Sequence, residues 1–95
     1  MITKSFGIIF DFIPKYSRTT NLEVLMKILD SKDLGKRIRE RRKELQYTQV
    51  YLSEFTGFSV SFISDVENGK PTVEFEKTLR LMHVLGLDLL VEVRG

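Results

Sequence analysis

The chain has 95 residues with 15 Lys+Arg against 13 Asp+Glu, a formal net charge of +2, and no cysteine. That length leaves no room for a second independent core, and the missing thiols exclude disulfide support and thiolate metal sites. With 42% hydrophobic residues and two prolines the composition is not that of a disordered chain, and a domain this small has dimerisation as its obvious remaining source of stability.

The net charge is the remainder of unlike parts. Residues 26–47 hold eight basic residues against four acidic, and residues 48–95 hold four against seven. The dense run from Lys36 to Lys43 has two readings, a nucleic-acid footprint or a solvated helix face. Lys4, Asp11, Lys15 and Arg18 interrupt the apolar front of the chain. They leave no run near the ~18 residues of a membrane span and spoil a secretory core, so the expectation is a cytoplasmic protein without a membrane partner.

In chain order, Phe6, Ile8, Phe10 and Phe12 alternate up to Pro14, which is a strand signal blurred by Ile9 and Ile13. Leu22–Leu29 is apolar and fits either a helical turn or a short strand. From Asp33, a candidate N-cap, Leu34, Ile38 and Leu45 share one face of a first helix that ends near Leu45. Gln46 follows it. Thr48 caps a short second helix with Leu52 and Phe55 as apolar contacts, closed by Gly57. Ser59 caps a third, residues 60–67, with Ile63 and Val66 inward, stopped by Asn68-Gly69 and Pro71. Thr72 caps a fourth, with Phe75, Leu79, Met82 and Leu85 spaced for burial and Gly86 at its end. Leu87, Leu89, Val91 and Val93 then alternate with Asp88, Leu90 and Glu92 as a strand. The expected organisation is an N-terminal extension at 1–25, a helical domain at 26–86 and a tail strand at 87–95.

Two short helices joined by Gly57-Phe58-Ser59 form a helix-turn-helix signature. The run Arg42, Thr48-Gln49, Leu52-Ser53, Gly57-Phe58-Ser59, Ile63-Ser64 and Glu67-Asn68-Gly69-Lys70 resembles the phage-repressor-type (Cro/C1, XRE) helix-turn-helix family. The wider block from Met26 to Arg94 is similar to its HipB-like antitoxin branch. The resemblance implies a mainly α, lambda-repressor-like bundle of four to five helices whose C-terminal strand forms an intersubunit sheet. It also implies an ion pair between Arg42 and Glu67, and phosphate contacts from Gln49, with Thr48 placed to act likewise. Ser59, Val60 and Ser61 would face base edges in the major groove, with Ser64 one turn on. Many family members carry glutamines where this chain has Val60 and Ser61. The direct reading is therefore modest, and DNA shape and water would share the specificity.

Several residues carry two readings. Phe62 is either half-buried packing or a base wedge, and Asp65 either a solvated carboxylate or an acceptor for a cytosine amino group. Arg37, Arg39 and Arg41 either pair with Glu40 and Glu44 or reach phosphate. Asn68 and Lys70, at the turn beyond the third helix, are candidate DNA contacts. Gln46 stands where the family has glycine. His83 has no second His or Cys and reads as structural; no metal, cofactor or catalytic residue is expected, and the chain is not expected to be an enzyme.

Two binding functions remain. One is recognition of double-stranded operator DNA as a two-fold homodimer, with the tail strands (Leu87, Leu89, Val91, Val93) forming the shared sheet. The other, implied by the resemblance, is capture of a HipA-like serine/threonine kinase toxin; the alternative is a stand-alone XRE-type regulator. Residues 1–25 could be an extra strand, an arm touching DNA or toxin, or sequence upstream of a start at Met26.

Overall fold

The computed structural model describes residues 26–94. The expected strand at Phe6–Phe12 and the role of residues 1–25 lie outside the described residues. Four helices follow in order: α1 (Ser31–Glu44), α2 (Gln49–Thr56), α3 (Val60–Glu67) and α4 (Phe75–Val84). Among the described residues there is no strand.

The core is made by one or two positions per helix. Ile38 from α1, Leu52 from α2, Ile63 and Val66 from α3, and Leu81 and Met82 from α4 are buried together with Leu85. Leu34, Leu45, Tyr47, Phe58, Phe62, Val73, Leu79 and Leu87 close around this cluster from partly buried positions. The period-3.6 spacing thus does its expected work in α1 and α3. It misleads in two places. Phe55 and Phe75, expected as core contacts, are 62% and 64% exposed, and Leu81 takes the buried position on α4. In α2 the buried position is Leu52, and Phe55 lies outside the covered face.

The helix ends explain most of the chain's turns. Asp30, not Asp33, is the N-cap of α1: its carboxylate accepts from the Asp33 backbone N–H at 2.9 Å. Asp33 instead accepts the Leu29 N–H at 3.0 Å, so the two side chains brace the helix start reciprocally, in the manner of a capping box. Thr48 and Ser59 cap α2 and α3 as expected, each accepting from the N–H three residues on. Thr72 does not cap α4, which begins after Glu74 without a side-chain cap. The turn after Lys70 includes a Val73 N–H to Lys70 carbonyl bond, and it carries Thr72 past before the helix starts.

Three helices end in the same way. At the end of α1, the Gln46 N–H bonds the Lys43 carbonyl and the Tyr47 N–H bonds the Arg42 carbonyl. Gly69 with Lys70 after α3, and Gly86 with Leu87 after α4, repeat that pattern. These are Schellman closures, whose turning residue is left-handed. Gln46 therefore has φ 63°, the one positive φ at a non-glycine residue among those described. Its place in a position that favours glycine has a structural cause.

α1 lies directly against α3. At Gly35 a Cβ would collide with the Val66 carbonyl and come within 2.7 Å of the Glu67 carbonyl oxygen. Ser31 Oγ donates to the Gly69 carbonyl at 3.0 Å, tying the start of α1 to the end of α3. The tail beyond α4 is directed by the third Schellman closure, which folds Leu87 back toward the core. Arg41 fixes the same corner by donating from Nε to the Leu85 carbonyl at 2.8 Å. Beyond it Val91 and Val93 are more than nine-tenths exposed. The strand expected at 87–93 is thus absent from the single chain, because a strand needs a paired edge and none of the described residues supplies one.

Candidate nucleic-acid interface

The helix-turn-helix expected from the sequence is the α2–turn–α3 pair. Gly57, at φ 84°, donates its N–H to the Ser53 carbonyl and turns the chain out of α2. The turn is then held from both sides: Ser53 Oγ donates to the Phe58 carbonyl at 2.6 Å, and the Phe58 N–H reaches Thr56 Oγ1 at 3.1 Å. With this corner fixed, α3 divides into two faces. Ile63, Val66 and Glu67 are buried, while Ser59, Val60 and Ser61 stand open at the N-terminal end.

Glu67 is the hub of the polar framework. Its carboxylate accepts from Arg42 Nε at 2.6 Å and from Arg42 Nη2 at 2.9 Å, a two-pronged pair in a nearly dry position. Arg42 Nη1 continues to the Tyr47 carbonyl at 2.9 Å, so one guanidinium ties α1 to α3 and to the approach to α2. The hydrogen bond to Glu67 raises the Arg42 pKa above the ordinary arginine value, burial opposes it, and the attraction of the carboxylate adds to the rise. Gln49, at the first position of α2, donates from Nε2 to the same Glu67 carboxylate at 3.1 Å. The ion pair expected from sequence is therefore present, and Gln49 is braced by it.

Part of the candidate contact set lines one polar cleft, while Ser59, Val60 and Ser61 are not among its walls. Thr48, Gln49, Asn68 and Arg39 line the cleft above the Arg42–Glu67 pair. Asn68 donates from Nδ2 to Ser64 Oγ at 3.3 Å, which holds the half-buried Ser64 and the exposed Asn68 together. Lys70 projects from the turn after α3 with Nζ 3.4 Å from Asp65, an exposed pair. Phe62 is half-buried against Phe58, ring centroids 5.2 Å apart, with Lys77 Nζ 5.5 Å from its ring centre. Its side chain is occupied with packing.

Arg39 is the residue that sequence reasoning underrated. Arg37 and Arg41 form the pairs foreseen with Glu40 and Glu44, at 3.3–3.8 Å. Arg39 is exposed, and no carboxylate among the described residues lies within ion-pair distance of it. The available signal was its spacing: three residues before Arg42, it shares the face that meets α3. Among the described residues no group of three His, Cys, Asp or Glu side chains could hold a metal, and no helix is long and apolar enough to cross a membrane.

A helix-turn-helix domain family model matches residues 33–94. The chain belongs to this helix-turn-helix family, as a DNA-binding transcription regulator of the XRE type. Among known proteins it is 34% identical, over 62 residues, to the ImmF control region 10 kDa protein of Bacillus phage phi105, covering 65% of this chain and 69% of that protein. It is 37% identical over 57 residues to an uncharacterized HTH-type transcriptional regulator, y4mF, of Sinorhizobium fredii (strain NBRC 101917 / NGR234), covering 60% and 75%. In fold it is similar to HipB in a HipB-O4 20mer complex, with a TM-score of 0.67 at 20% identity over 75% of this chain and all of that one. A HipB variant in an O2 20mer complex gives 0.68, again at 20% identity, over 75% of this chain and 99% of that one.

Proposed function

We propose that the protein is a cytoplasmic repressor that binds operator DNA as a two-fold homodimer and acts by binding, without catalysis. The observation that carries this reading is the open Ser59–Val60–Ser61 edge at the start of α3, together with the polar cleft lined by Thr48, Gln49, Asn68 and Arg39 and with Lys70 on the turn after α3. Inserted in the major groove, that edge offers hydroxyls to base edges and the Val60 methyls to a thymine methyl. Thr48, Gln49, Arg39, Asn68 and Lys70 then face the sugar-phosphate backbone and set the register. α3 carries no Lys or Arg, so phosphate attraction comes from the elements that flank it.

The homodimer supports two recognition helices about one DNA turn apart. Its proposed seam is the tail, where Leu89, Val91 and Val93 are exposed and Leu87 begins the run from the core. A chain ending at Gly86 is expected to sediment as a monomer; an unaltered dimer would remove the tail from the interface. For DNA, the double variant Ser61→Glu/Ser64→Glu is expected to lose operator binding at physiological salt while its helical circular dichroism is unchanged. Retained sequence-specific binding would overturn the assignment of α3.

The likeness of fold to HipB favours a second activity, neutralisation of a HipA-like serine/threonine kinase toxin by complex formation. The names of the two sequence relatives favour a stand-alone regulator. Isolation of the protein from its native locus separates them: a co-purifying kinase establishes the antitoxin role, and its absence leaves the regulator alone.

A further inference from the structure

The polar cleft and Lys70 belong to the C-terminal end of α3, through Glu67, Asn68 and the turn that follows. The other end of the helix has cations of its own, and they come from α4. Lys77 places Nζ 5.5 Å from the centre of the Phe62 ring. Arg80, one turn on, places its guanidinium carbon 5.8 Å from the centre of the Phe58 ring. The two rings pack on each other with centroids 5.2 Å apart. Phe58 immediately precedes the Ser59 cap and Phe62 immediately follows Ser61. The open edge of α3 is thus bracketed in sequence by the two rings that carry the cations.

These rings hold charge without cancelling it. A cation over an aromatic face is attracted by the ring quadrupole and keeps its full formal charge, whereas Arg37 and Arg41 are offset by carboxylates of α1. Arg80 is exposed, and no carboxylate among the described residues lies within ion-pair distance of it. Lys77 has one such partner, Glu74 at 3.1 Å, and both side chains of that pair are open to solvent. An exposed pair of this kind is worth little and is readily exchanged for another anion. The ring contacts also restrict two long side chains beforehand, which lowers the entropy lost when they fix a ligand.

The length of α3 sets what these cations can reach. Its eight residues rise about 12 Å, the width of the major groove of B-DNA. A helix of that span seated between the two phosphate backbones brings the cations at its two ends to opposite walls of the groove. We infer that Lys77 and Arg80 form a second phosphate clamp, which holds the strand opposite the one met by Arg39 and Lys70. This clamp rests on the proposed insertion of α3 in the major groove, and it supplies the far wall with the backbone contacts that fix register from both sides.

Salt titration of binding to a short duplex of random sequence tests the charge. For each chain bound, Arg80→Ala is expected to make the fall of log affinity with log salt shallower by about 0.9, and Lys77→Ala/Arg80→Ala by about twice that. Arg80→Lys keeps the charge and is expected to keep the slope of the unaltered protein. If the cations only brace the two rings, the alanine variants lose thermal stability while their slope at a temperature where they are folded stays unchanged, and that result overturns the inference. The choice of strand is tested on a duplex that the unaltered protein selects from a random pool, with single phosphates replaced in turn by neutral methylphosphonates. Within each half-site, Arg80→Ala is expected to lose its sensitivity to replacement along one strand, and Arg39→Ala along the other. Loss at the same phosphates in both variants overturns the placement on the far wall. An unaltered protein that selects no sequence sinks the repressor reading, while the slopes of the variants still decide the phosphate contacts. Selection of a sequence with slopes unchanged in both alanine variants removes the clamp and leaves that reading standing.

Discussion

Glu67 serves three donors from two other parts of the chain, accepting Arg42 Nε and Nη2 and Gln49 Nε2 within 3.1 Å. A buried pair of this kind contributes little net stability compared with an apolar substitute, but breaking it from one side is expensive because the remaining charge stays desolvated. Glu67→Ala is therefore expected to destabilise the fold by about 3–5 kcal/mol in denaturant titration. The pH dependence follows from the raised Arg42 pKa: the stabilisation from that guanidinium is complete below the unfolded arginine value and is lost only as pH rises through the higher folded one. The deficit of Glu67→Ala should thus stay constant between pH 7 and pH 9; a deficit that shrinks across that window would mean another group titrates with the pair. At this scale much was legible in the sequence. The partners Arg42 and Glu67, and the caps Thr48 and Ser59, follow from short-range spacing or a family pattern. Asp30 was missed because two aspartates three residues apart can each cap a helix, and only the completed turn decides which does.

The contact between α1 and α3 depends on a missing side chain. Gly35 immediately precedes the basic run, and a methyl group there would overlap the Val66 carbonyl and press on that of Glu67. Both acceptors are backbone at the end of α3, so they cannot step aside as a flexible side chain would. Gly35→Ala is expected to cost about 1–3 kcal/mol despite its better helix propensity, as overpacking of a tight contact does. A thermal midpoint equal to or above that of the unaltered protein would show that the helices slide apart without penalty. The four helices follow in the expected order with approximately the expected ends because their stop signals are local, Gly57, Asn68-Gly69 and Gly86, whereas the expected tail strand does not form among the described residues. Their depth was less legible. Phe55 and Phe75 satisfy a helical spacing and still face solvent, since periodicity identifies a face but not whether another element covers it.

In the whole molecule, the basic run is separated from the proposed reading edge of α3. α1 carries the basic run, yet Arg37 and Arg41 are engaged with Glu40 and Glu44, Arg42 is buried against Glu67, and Arg39 remains open beside Thr48 and Gln49. Each phosphate that a cation neutralises adds about 0.9 to the steepness with which log affinity falls against log salt. Arg39→Ala is expected to make that dependence shallower by the same amount and to weaken operator and random DNA by similar factors. A change confined to the operator would instead assign Arg39 to base reading. The tail resisted sequence reasoning for a different reason. Its alternation is genuine, but a strand is a property of a pair, and the described single chain offers no partner edge. Alternation alone could state what kind of segment Leu87–Val93 is, not what completes it.

The two faces of α3 bear on how such a regulator can change over generations. Ile63, Val66 and Glu67 hold the helix in place, while Ser59 alone of the open edge has a structural duty, as its cap. Val60 and Ser61 can therefore be exchanged with little effect on folding. A lineage could track a drifting operator through two adjacent codons, keeping its thermal tolerance while it acquires a new target. Related chains with divergent cognate sites would then differ first at these positions and last at the Arg42–Glu67–Gln49 hub.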